Sequence, residues 1–86
     1  MDVSYRLIRR IDSPTGRGTR CLWEVDDHYI ITSAVTIPHS GPETYVFRAS
    51  REGEILSWIE LDGSFRGGLN HDTAIAGYVE SLIRDK

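Results

Sequence analysis

Cysteine occurs once in this 86-residue sequence, as Cys21. A single thiol excludes an internal disulfide and every zinc motif built on two or more cysteines. The three histidines, His28, His39 and His71, stand far apart, and none has a metal-ligand spacing to a partner. Lysine also occurs once, so nine of the ten basic residues are arginine. Arginine suits bidentate contacts; codon bias in a GC-rich genome explains the same excess. No apolar run approaches the roughly 20 residues that cross a bilayer, and the first residues lack the apolar core of a secretory signal. The expectation is a cytoplasmic protein without a membrane partner.

Catalytic signatures are missing too. Cys21 could pair with a histidine as a nucleophile, but no nucleophile elbow or base motif surrounds it, and a strand position makes it a small core residue. The glycine-rich segment Gly63 to Gly68, with Arg66 inside it, leads into a helix start. Such junctions can hold phosphate on free backbone N–H groups. The Lys-Ser/Thr pair of a Walker loop is absent, however, and Asp72 would repel an anion. A plain turn followed by a cap is the simpler reading. With no acid, base or nucleophile pair standing out, the expectation is a non-enzymatic protein with no cofactor and no metal.

Net charge is only −3. Its distribution says more. Through residue 20 there are five arginines against Asp2 and Asp12; beyond it there are five basic and eleven acidic residues, about +3 and −6. Length fits one domain, residues 1–86. A chain of this size buries a modest core, and a partner or a second copy would add stability.

What is present is a pattern of strands. Thr44 to Leu61 reads as a β-hairpin, because aromatic and β-branched side chains suit a pleated surface and Gly53 can take positive φ in the turn. If Ser50 pairs with Glu54, Val46 faces Trp58 and Tyr45 faces Ile59. Tyr45, Phe47, Ala49, Ile55, Ile59 and Leu61 then form a core face. Thr44, Val46, Arg48, Leu56, Trp58 and Glu60 form a mixed second face.

Earlier in the chain, Val3 to Ile11 reads as a strand, with Arg9 interrupting its apolar side. Thr19 to Val25 reads as a second, with Cys21, Trp23 and Val25 sharing a face. After a turn at Asp26-Asp27, His28 to Ile37 is a third strand, apolar on both faces as in a covered central strand. Asn70 or Asp72 caps a helix ending near Arg84, whose apolar stripe is Ile75, Tyr78, Val79, Leu82 and Ile83. Gly77 allows that helix to pack closely.

The predicted fold is α+β: an antiparallel sheet of about five strands in meander-like order, with one C-terminal helix packed on one face. Five strands span roughly 24 Å, whereas a helix is about 10–12 Å across. Either the sheet curls toward a half-barrel, or another surface covers the remainder.

The run Ser40-Gly41-Pro42-Glu43-Thr44-Tyr45-Val46-Phe47, then Gly53, Trp58, Glu60-Leu61, Gly63-Ser64 and His71-Asp72, resembles small uncharacterised proteins of actinobacterial phages and their hosts. The resemblance spans about the C-terminal half. It implies a mobile-element setting, in which small domains often bind host proteins, and carries over no functional residue.

The function expected is therefore protein binding, to a host protein or a second copy, through Val46, Arg48, Leu56 and Trp58. Tryptophan and arginine are common interface anchors. The competing structural reading has Trp58 covered by Phe65 or Ile37 of its own chain. The alternative function is weak nucleic-acid binding by Arg6, Arg10, Arg17 and Arg20, with Tyr5 or Trp23 stacking. The plainer reading of those arginines is solvated pairing with Asp12, Glu24 or Glu60.

Overall fold

The computed structural model of the chain describes residues 3–12, 18–37, 41–59 and 70–84. Five strands, β1 (Tyr5–Asp12), β2 (Gly18–Val25), β3 (His28–Ile37), β4 (Gly41–Ala49) and β5 (Ile55–Ile59), precede a helix, α1 (His71–Arg84). The strands lie side by side in chain order and every pair is antiparallel. This is the expected meander. The sheet is open, with β1 and β5 at its two edges.

Two irregularities decide which side chains share a face. Leu7 pairs with Trp23 and Arg9 with Leu22, so Ile8 is an extra residue in β1. Arg48 pairs with Ser57 and Ala49 with Ile55, so Leu56 is an extra residue in β5. A β-bulge of this kind resets the two-residue alternation. In β1 it explains Arg9: beyond Ile8 the phase changes, and Arg9 joins Arg6 rather than Leu7. In β5 it moves Trp58 opposite Phe47 and Ile59 opposite Val46. The expected pairs, Val46 with Trp58 and Tyr45 with Ile59, are corrected accordingly; the expected Ala49–Ile55 pair stands.

The helix packs over β3 and β4. Beneath it lie Cys21, Trp23 and Val25 of β2, Ile30 of β3 and Val46 of β4, against Ala74, Ile75, Tyr78 and Val79; Ile59 and Leu82 border this core. The apolar stripe of α1 thus faces the sheet, except that Ile83 is exposed. Asn70 caps the helix, its Oδ1 accepting the Thr73 N–H at 3.1 Å. Gly77 is buried within α1.

The opposite face has its own small core of Leu22, Ile31 and Ala49, flanked by Tyr29 and Phe47. Among the described residues, no helix lies there. The tip of the β4–β5 hairpin folds across instead. The Arg9 guanidinium on β1 donates to the Glu52 carbonyl at 2.7 Å. A Cβ on Gly53 would stand 3.8 Å from Leu22 Cδ2. The central strand β3 is therefore covered on both sides, as its two apolar faces require.

Gly53 has φ +95°, and a Cβ there would also stand 2.6 Å from an Arg9 nitrogen. Gly53→Ala is expected to cost about 1–2 kcal/mol in urea unfolding, from backbone strain plus loss of the Arg9–Glu52 tie. In an Arg9→Ala background the same substitution is expected to cost less, because only the strain remains. Equal costs in both backgrounds would show that Arg9 does not hold the hairpin tip.

Candidate functional site

Among the described residues, strand β5 is the edge beyond β4, and one side of its backbone has no partner strand. Its sequence, Ile-Leu-Ser-Trp-Ile, is uncharged. Trp58 is 55% exposed and Leu56 64%, with Ile55 also open to solvent. Among the described residues, an indole and two aliphatics thus stand exposed on a strand at the edge of the sheet, a feature that proteins normally suppress.

The other residues expected at this surface are placed differently. Val46 is only 2% exposed and packs under α1, so it cannot share a contact surface with Trp58. Arg48 is exposed, but it lies opposite Ser57 in the register row of Ile30, on the helix side. Trp58 instead neighbours Phe47, which is half-buried. The surface is thus Trp58, Phe47, Ile55 and Leu56. The Phe65 and Ile37 side chains, weighed as covers for Trp58, lie outside the described residues.

A second feature is a cleft of 460 Å³ where the start of α1 meets β1 and β2. It is lined by Leu7, Arg10, Cys21, Trp23, Asn70, His71 and Asp72. Here the chain brings Cys21 and His71 to one place, which their 50-residue separation in sequence hides. His71 is hydrogen-bonded to Thr32, and Thr32 also acts on the Cys21 thiol. The His71 ring spans two threonines, with Nε2 2.6 Å from Thr19 Oγ1 and Nδ1 2.8 Å from Thr32 Oγ1. The Trp23 indole N–H donates to the same Thr32 oxygen at 2.9 Å.

Burial pushes the Cys21 thiol above its ordinary pKa, with Arg10 opposing the rise and Asp72 adding to it. Burial lowers His71 from 6.5, Arg10 lowers it further, and Asp72 acts the other way. Both shifts favour the neutral forms, the reverse of a thiolate–imidazolium pair. Thr32 is a structural hub in this arrangement.

The arginines do not converge. Arg6 pairs with Glu24 at 2.8 Å, and Arg10 with Asp12 at 3.3 Å. By register, Arg6 and Arg20 lie on the face with Leu22, whereas Arg10 lies on the helix side beside Cys21. Arg17 lies outside the described residues, as do His39, the Gly63 to Gly68 segment, Glu60 and Leu61. Tyr5 and Trp23 do meet, edge to face at 6.1 Å, but Trp23 is buried and offers no stacking platform. Among the described residues, no three His, Cys, Asp or Glu side chains stand where they could hold a metal ion. No helix there is long and apolar enough to cross a membrane.

His71 bridges elements in a way that the sequence pattern did not show. It clamps the helix start to β2 and β3, and His28 does the same further along, its Nε2 2.9 Å from the Tyr78 hydroxyl. Because the folded pKa of His71 is lowered, unfolded chains bind the extra proton first as pH falls. Its contribution is complete above about pH 6.5 and declines as pH drops below that value. Urea midpoints are expected to fall from pH 7.5 to pH 5, and to fall less steeply in His71→Gln. Thr32→Val leaves the buried indole and imidazole nitrogens unpaired and is expected to cost about 2–3 kcal/mol by urea unfolding; a cost near zero would refute the hub.

Comparison of the chain with protein-family models, curated proteins and solved structures finds no match.

Proposed function

We propose that this chain is a non-enzymatic, cytoplasmic protein-binding domain whose contact surface is strand β5 with Trp58 at its centre. One observation carries the reading: an indole 55% exposed on an uncharged strand that forms the edge of the sheet among the described residues. Large apolar groups left in water on a strand edge are a hazard that proteins normally suppress. A partner that covers them removes the hazard and gains their burial. Tryptophan is also enriched among the few residues that dominate binding energy. The resemblance to small phage proteins fits a modulator of a host protein, and the sheet edge fits a partner that adds a strand. Nucleic-acid binding has less support, since the arginines divide between the two faces and two of them are paired with carboxylates.

Trp58→Ala is expected to abolish capture of a partner from actinobacterial lysate while far-UV circular dichroism stays unchanged. Truncating such an anchor costs at least about 2 kcal/mol of binding, or thirtyfold in affinity. Capture that survives the substitution, or a variant that unfolds, would remove Trp58 from the role.

A further inference from the structure

The first turn of α1 is held to the sheet in a singular way. Of residues 70–73 only His71 is buried; Asn70, Asp72 and Thr73 stand in solvent. Asn70 serves the helix itself, through the Thr73 N–H. The apolar contacts of the helix begin a turn later, at Ala74 and Ile75. Among the described residues, His71 is therefore what ties this turn to β2, through Thr19, and to β3, through Thr32. Tyr78 has a separate tie to His28, so the body of the helix has its own anchor.

The protons in the His71 tie have one simple arrangement. Thr32 Oγ1 accepts the Trp23 indole N–H. Its own hydrogen then serves His71 Nδ1, and the single N–H of the neutral ring, on Nε2, donates to Thr19 Oγ1. Among the described residues, no buried side-chain nitrogen or oxygen lacks a partner. A second proton on the ring upsets this pattern. Nδ1 becomes a donor aimed at a hydroxyl that already accepts one bond, and the Thr32 hydrogen must turn to another acceptor.

The added charge also meets an unfavourable setting. It lies in a buried place at a helix N-terminus, where free backbone N–H groups carry partial positive charge. Arg10 of β1 repels it, while Asp72 of α1 and the Thr32 main chain favour it. Asp12 of β1 stands beside Arg10 as its ion-pair partner. Cys21 of β2, which lines the same cleft, is kept neutral by burial.

We propose that His71 is a proton-operated latch: neutral, it fastens the first turn of α1 to the sheet; protonated, it lets that turn lift and widens the cleft onto Cys21 and Trp23, while the strands and the rest of the helix stay in place. The device differs from acid unfolding, because one turn moves and the sheet does not. Helix ends are also where local opening is least costly. Linkage sets the direction. The closed turn holds His71 below its ordinary pKa, and a ring released into water returns to about 6.5, so opening takes up a proton. The latch is fully closed above that pH and loosens below it.

Cys21 reports the open state. It is 3% exposed and lies opposite Thr32 in the sheet register. Its rate of reaction with an aromatic disulfide reagent is measured on the folded chain and on the urea-unfolded chain at the same pH. The ratio of the two rates gives the open fraction and cancels the titration of the thiol itself. In wild type this ratio is expected to rise at least about threefold from pH 7.5 to pH 5. At both pH values it is expected to exceed the globally unfolded fraction found from urea curves. In His71→Gln the ratio is expected to stay flat. Arg10→Gln removes the neighbouring cation and is expected to move the rise to higher pH; if His71→Gln does not fold, this variant carries the test.

A wild-type ratio that does not rise overturns the proposal, as does a rise that His71→Gln shares. Arg10→Gln with the wild-type profile overturns it as well. A ratio equal to the globally unfolded fraction at each pH has the same consequence, because the whole chain and not one turn is then opening.

Discussion

Two imidazoles fix where the only described helix lies. His71 spans Thr19 and Thr32 at the start of α1. His28 meets the Tyr78 hydroxyl two turns further on. Between them Ala74 and Ile75 press into Ile30 and Val46. Apolar burial supplies most of the attraction and is indifferent to small shifts in position. Hydrogen bonds between rings and hydroxyls are not, because a misplaced helix would strand the His71 imidazole and the Thr19 and Tyr78 hydroxyls without these partners. The helix is therefore held over β3 and β4. On the helix side, a cylinder so positioned leaves β1, two rows from β3, largely unshaded.

The sheet adapts to this in an unequal manner. On the helix-free side it supplies its own cover, as the β4–β5 hairpin tip folds back to Arg9. Leu22 and Ile31 are buried as a result. At the rims it has no such cover, and the bulges at Ile8 and Leu56 lie on the two edge strands. Bulges are a common means of bending an edge out of line. Here each one also exchanges which side chains face the helix, so the same irregularity that shapes the rim puts Trp58 on the far side from Val46.

Much of this was legible in the residues. Alternation and turn chemistry gave five strands in meander order, and helical spacing with Asn70 gave α1. Local periodicity is strong where strands are regular, as in β2, where Cys21, Trp23 and Val25 share a face as expected. It failed where one residue was inserted. Nothing in Ile-Leu-Ser-Trp-Ile marks Leu56 as the extra residue, because the bulge is a property of the pairing with β4 and not of the alternation within β5. The face of Val46 was misassigned for a related reason. Both faces of β4 are apolar, so pattern alone could not say which would receive the helix. The bridging role of His71 left no local trace, since its partners stand 52 and 39 residues away.

That last distance bears on how the molecule is made. Trp23, Ile30 and Val46 are translated well before Ile75, yet they are shielded only when α1 docks. A nascent chain leaving the ribosome therefore carries a bare apolar sheet surface until α1 emerges. Long-range pairing of this kind folds slowly and exposes the intermediate to aggregation. Premature termination before Asn70 would yield a polypeptide able to form strands but unable to finish its interior, a substrate for chaperones and proteases.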